Sequence, residues 1–84
     1  MVKVGEIYRH YKSTGGTDHT YEIVHIGVFQ WEEAYDMQEV IIYKALYEIA
    51  DFPLEVSVIV RPRTEFESTV EYQWETVSRF TRIS

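Results

Sequence analysis

The segment Gly5-Glu6-Ile7-Tyr8-Arg9-His10-Tyr11-Lys12 carries more chemistry than any other in the chain: two phenols, a guanidinium, an imidazole and an ammonium. Phenols stack and hydrogen-bond, a guanidinium grips carboxylate or phosphate with two parallel donors, and histidine changes charge near neutral pH. The candidate ligand-binding residues are Tyr8, Arg9, His10 and Tyr11 here, with Tyr43 and Arg61 from later in the chain. With residues 13–19 as a hairpin loop, Lys12 faces Thr20, Tyr8 faces Val24 and His10 faces Glu22. A His10–Glu22 pair raises the imidazole pKa and suits a general acid or base. The same pair also reads as an ordinary cross-strand surface contact worth at most about 1 kcal/mol.

Other reactive chemistry finds little support. A metal site needs three or four convergent ligands, and His10, His19, His25 and Asp18 are the only candidates. In the expected register His10 and His25 face opposite ways, and no HxxxH or HExxH spacing occurs. The chain has no cysteine, and Ser13, Ser57, Ser68, Ser78 and Ser84 lack a GxSxG context. Gly15-Gly16 is a turn and not a phosphate loop. The expectation is a domain without catalytic activity, metal or other cofactor.

A partner is the better expectation. Tyr8, Tyr11, Tyr21, Tyr43 and Tyr47 fall on three neighbouring expected strands. Such rings either stack on a ligand or complete a small core with their hydroxyls at the rim. Phe29, Trp31 and Tyr35 form a second group in an expected loop, as a patch for a partner or homodimer or as a plug over one end of a barrel. Both choices stay open at this level.

The elements that must position these groups are mostly strands. Eighty-four residues make one domain, spanning 1–84. With no cysteine to form a disulfide, 45% apolar and 15% aromatic residues must hold it by packing. Residues 5–12 read as a first strand, 13–18 as a loop, and 20–29 as a second strand in which Gly27 marks a bulge or bend. Residues 38–48 form a third strand and 56–60 a fourth, closed by Arg61-Pro62. Thr64-Glu65-Phe66-Glu67 matches a capping box and starts a helical turn near 64–70; residues 69–83 return to β-like alternation. Five or six short strands with one helical turn point to a mostly β fold, a small twisted barrel.

Charge narrows the partner. The formal net charge is −6, which disfavours generic nucleic-acid binding. The basic residues Lys3, Arg9, Lys12, Arg61, Arg63, Arg79 and Arg82 lie toward the two ends, so terminal strands that meet give a mildly basic face. No run of about eighteen apolar residues exists to span a membrane, and Met1-Val2-Lys3-Val4-Gly5 has no signal-peptide character. The expected setting is the cytoplasm of a bacterium or an infecting phage.

The residues resemble a short bacterial domain-of-unknown-function family. Its members open with GxYRHYKG, continue through YxVxG, VYRALY and WVRPxxMF segments and close on RFxxI. The matching elements are Gly5 to Lys12, Tyr21-Glu22-Ile23-Val24 with Gly27, Ile42 to Tyr47, Val60-Arg61-Pro62 with Phe66, and Arg79-Phe80-Thr81-Arg82-Ile83. The chain departs where Phe29-Gln30-Trp31-Glu32-Glu33 replaces a His-Thr/Ser-Glu stretch, where Val58 or Ile59 replaces a tryptophan, and where Val77-Ser78 replaces a late glycine and proline. The resemblance implies a compact SH3-like barrel and no established reaction. The functional expectation is a recognition domain binding a small or extended ligand on its aromatic and basic strand face. The alternatives are nucleotide or nucleic-acid binding through Arg and Lys of the terminal strands, or homo-oligomeric assembly through the Trp31 loop.

Overall fold

The computed structural model describes residues 2–30, 37–49 and 57–84. Its elements, in chain order, are β1 (Ile7–His10), β2 (Thr20–Phe29), β3 (Gln38–Ala45), β4 (Val58–Pro62), α1 (Arg63–Phe66), β5 (Thr69–Tyr72), β6 (Glu75–Ser78) and β7 (Phe80–Arg82). A five-stranded antiparallel sheet runs β4-β3-β2-β1-β7, and β5 pairs with β6 in a separate hairpin.

The core lies on one face of the sheet. Tyr21 pairs with Ala45, Ile23 with Tyr43, and Tyr43 with Ile59, so alternate residues of three strands point the same way. Tyr43, Phe66, Ile23 and Ile41 are fully buried, each worth about 1.5–3 kcal/mol relative to exposure. Phe66 closes this face from above. Its ring stacks on Phe80 at 4.1 Å and meets the edges of Tyr8 at 5.2 Å and Tyr43 at 5.4 Å.

That placement follows from Pro62. It is the last residue of β4 and immediately precedes α1, and a proline has no N–H with which to continue a ladder. The chain turns at once into α1, closed by the Glu67 N–H donating to the Arg63 carbonyl at 2.9 Å. The expected capping box at Thr64 does not form. The turn starts one residue earlier, without a side-chain cap, and the Glu67 carboxylate accepts instead from Arg63 Nε at 3.2 Å.

The expected closed barrel is not formed by the described residues. β4 and β7 stand at opposite edges of an open sheet. Between them the chain makes α1 and the β5–β6 hairpin before β7 pairs with β1. The fold is mostly β, with one helical turn.

The first hairpin also differs in register. Ile7 pairs with Glu22, Tyr8 with Tyr21 and Arg9 with Thr20, an odd slip from the expected pairing that exchanges the two faces. The cause is the loop. The Asp18 carboxylate accepts from the Thr14 N–H at 3.0 Å, the Thr14 hydroxyl at 2.8 Å and the Ser13 hydroxyl at 3.3 Å. His19, at φ 56°, accepts the His10 N–H at its carbonyl at 2.9 Å, so β1 ends at His10 and not at Lys12. The bulge in β2 falls between Ile23 and His25, at Val24, and not at Gly27.

Candidate functional site

Phe80 is the platform on which the site is built. Phe66 stacks on its ring, Arg61 Cζ lies 5.6 Å over it, and the His10 imidazole meets it edge-on at 5.1 Å. β4 supplies Arg61, β1 supplies His10 and β7 supplies Phe80, so the two edges and an inner strand of the sheet converge here.

Arg61 is held from both sides. Its Nε donates to the Tyr43 hydroxyl at 3.0 Å, and Nη1 pairs with the Glu65 carboxylate. Tyr43 is 1% exposed, and burial raises its pKa, so it keeps its proton. What Tyr43 presents outward is the orientation of Arg61, since its own ring belongs to the core.

His10 is held neutral. Its Nδ1 accepts the Lys12 N–H at 3.2 Å, which leaves the ring proton on Nε2. Burial is the main cause that lowers its pKa to about 4, followed by the positive charge of His19, Arg61, Lys12 and Arg79. The expected His10–Glu22 pair is absent. Glu22 pairs with Lys44 at 3.5 Å, and the pKa of His10 moves down where that pairing required it to move up. The odd register slip is the reason: Glu22 stands opposite Ile7.

Around His10 the rings continue outward. Tyr11 lies 4.5 Å away and His19 5.9 Å, and His19 stacks on Tyr47 at 5.4 Å. The Tyr47 hydroxyl meets that of Tyr21 at 2.8 Å. Tyr11 also touches Tyr72 of the β5–β6 hairpin at 5.2 Å and carries Lys12 Nζ 5.8 Å over its ring. Its N–H donates to the Arg79 carbonyl at 3.0 Å, and Arg79 Nε donates to the Ser68 hydroxyl at 3.0 Å.

Four of the six expected residues therefore meet: His10, Tyr11, Tyr43 and Arg61. Tyr8 turns to the other side of Phe66, where its hydroxyl donates to Glu6 at 3.0 Å; Glu6 in turn pairs with Arg82 at 3.1 Å. Burial pushes the Tyr8 hydroxyl up to about 12. Val2, Tyr8, Phe66, Glu67 and Phe80 line a cleft of about 160 Å³ on that side. Arg9 points to the opposite face of the sheet, with Nη2 on the Gly15 carbonyl at 3.4 Å. Sequence reasoning missed Lys12 and Arg79 as site residues. Arg79 stood in view next to Phe80 in the closing RFxxI match, and that adjacency was the available signal.

Among the described residues, Lys12 and Arg79 have no carboxylate partner, as Lys3 and Arg9 have none, whereas Lys44, Arg61 and Arg82 each have one and Arg63 has two. No group of three or more His, Cys, Asp or Glu is arranged to hold a metal ion among the described residues. Trp31 and Tyr35, the core of the expected assembly loop, lie outside the described residues; Phe29 is 39% exposed.

The chain matches the family described as Protein of unknown function (DUF1653) over residues 6–82 and belongs to it. Comparison with curated proteins returns no match, and neither does comparison with solved structures.

Proposed function

We propose that this domain recognises, without catalysis, a carboxylate or phosphate group of a small or extended ligand at the end of the sheet where His10, Lys12, Arg61 and Arg79 gather. One observation carries the reading: in a chain of net charge −6, cations surround a neutral, half-buried imidazole on an aromatic floor, and two of them lack a carboxylate partner among the described residues. An anion placed there meets positive potential, a pre-oriented guanidinium and an imidazole N–H donor. Because Tyr43 fixes Arg61, little side-chain entropy is lost on binding.

The wider architecture is part of the same proposal. A five-stranded sheet capped by Phe66, with a hairpin in contact with it through Tyr11 and Tyr72, is consistent with an incompletely closed SH3-like barrel. Its aromatic and basic end is where such barrels take extended ligands.

The experiment is a ¹⁵N–¹H titration with orthophosphate, acetate, an acidic peptide and a short single-stranded oligonucleotide. Saturable shifts at His10, Tyr11, Arg61 and Arg79 with an anionic ligand support the reading. Silence at all four with every ligand rejects it. A phosphate-driven mode also weakens as salt rises.

A further inference from the structure

The most exposed large hydrophobic side chain among the described residues plays no part in the site above. Trp74 is 100% exposed and sits at the tip of the β5–β6 hairpin. Tyr72 pairs with Glu75, so Gln73 and Trp74 alone make the turn, with φ of 50° and 69°. A two-residue hairpin turn with both central residues at positive φ favours Asn-Gly. Glutamine and tryptophan occupy it here against that preference. A bulky ring held at a strained tip in open solvent does nothing for the core.

The surroundings of the ring define what it suits. Glu71, Tyr72, Gln73 and Trp74 line an open concavity of about 420 Å³. Tyr72 is 40% exposed and braces the hairpin against the sheet through Tyr11. Glu71 accepts from the Thr76 hydroxyl at 3.3 Å, and neither Glu71 nor Glu75 has a cationic partner among the described residues. An indole and a phenol with two un-neutralised carboxylates attract an organic cation through the ring faces and through charge. The same carboxylates repel an anionic lipid surface.

We propose that the β5–β6 tip is a second binding site, which takes an arginine or lysine side chain from a basic segment of a partner protein. The guanidinium or ammonium lies against Trp74 at the tip, with Tyr72 and Glu75 on one face of the hairpin and Glu71 on the other supplying the negative charge. This site adjoins the anion site through the Tyr11–Tyr72 contact and is opposite to it in charge preference.

The test uses the full chain and a blocked tetra-arginine peptide, with a blocked tetra-glutamate peptide as control. The readout is the Trp74 indole N–H, assigned with Trp74→Phe, together with the Glu71, Tyr72 and Glu75 amides. Saturable shifts at these positions with tetra-arginine are expected, and none with tetra-glutamate. Trp74→Ala weakens binding about three- to tenfold, Trp74→Phe retains part of it, and Glu71→Gln with Glu75→Gln weakens it to a similar degree. Because these residues are exposed, the variants keep the wild-type spectrum elsewhere. The proposal fails if tetra-arginine leaves the tip unmoved into the millimolar range, if Trp74→Ala binds as tightly as wild type, or if the shifts localise away from the hairpin. Shifts that grow with protein concentration in the absence of peptide also overturn it, because they assign the tip to a second copy of the chain.

Discussion

Arg61 Nε donates a 3.0 Å hydrogen bond to the hydroxyl of Tyr43, a residue whose ring is sealed in the core. The bond ties a charged group at the sheet edge to the most buried layer of the domain. It sets where the guanidinium stands over Phe80, and with it the shape of the cationic end. Core packing and the proposed ligand recognition thus share one side chain.

Tyr43→Phe separates the two roles. The ring stays buried and only the acceptor for Arg61 is lost. Urea unfolding should show a loss of about 1 kcal/mol, the usual net worth of such a bond. Anion binding should weaken as well, because Glu65 is then the one side-chain hydrogen-bond partner left to Arg61 among the described residues.

Lowering the pH should destabilise the domain in two separate windows. The pKa of His10 is lowered to about 4 from an ordinary 6.5, so below 6.5 the unfolded chain binds a proton that the folded chain refuses. Its contribution is complete above about 6.5 and is lost as pH falls toward about 4. Hydrogen bonds from Thr14 are the main cause that holds Asp18 at about 2, so its contribution is lost only below the ordinary carboxylate range, 3.8. Urea midpoints measured from pH 7 to 4 should decline in wild type, and His10→Gln should flatten that decline.

Phe66→Ala should be the most damaging single truncation. It removes the ring that caps Phe80, Tyr8 and Tyr43, at about 3–5 kcal/mol. Small domains have only about 5–15 kcal/mol in total, so thermal melting should shift by tens of degrees or vanish. Phe66→Leu should recover part of the loss.

The β5–β6 turn predicts the reverse sign. Replacing Gln73-Trp74 by Asn-Gly relieves two left-handed residues. Stability should rise by about 1 kcal/mol or more, since each such residue costs roughly 1–2 kcal/mol without glycine. Calorimetry of the double variant checks this.

What could be read from the sequence was whatever rests on local pattern. β2 runs over Thr20–Phe29 where alternation and β-branched residues placed a strand, and Pro62 ends β4. Register was not legible, because it was set by Asp18 gathering the Ser13 and Thr14 donors, which shortens β1 and slips the pairing by an odd number. A slip of that kind moves every side chain to the other face, which is why Arg9 left the site and His10 lost Glu22. The capping box failed for a related reason: Arg63 competes for Glu67 and Pro62 has already started the turn. His10, Tyr11, Tyr43 and Arg61 converge through β7, and Phe80 at its start could not be placed beside β1 by local pattern.

The His10 proton tests the central claim most directly. An anion bound among Lys12, Arg61 and Arg79 offsets the positive charge that helps to depress the imidazole. Titrating the His10 Cε1–H resonance with and without saturating orthophosphate should raise its pKa by on the order of one unit. Arg79→Ala and Lys12→Ala should each shrink that rise. A His10 pKa unchanged by orthophosphate, and equally unchanged by acetate and by an acidic peptide, would contradict anion recognition at this end of the sheet.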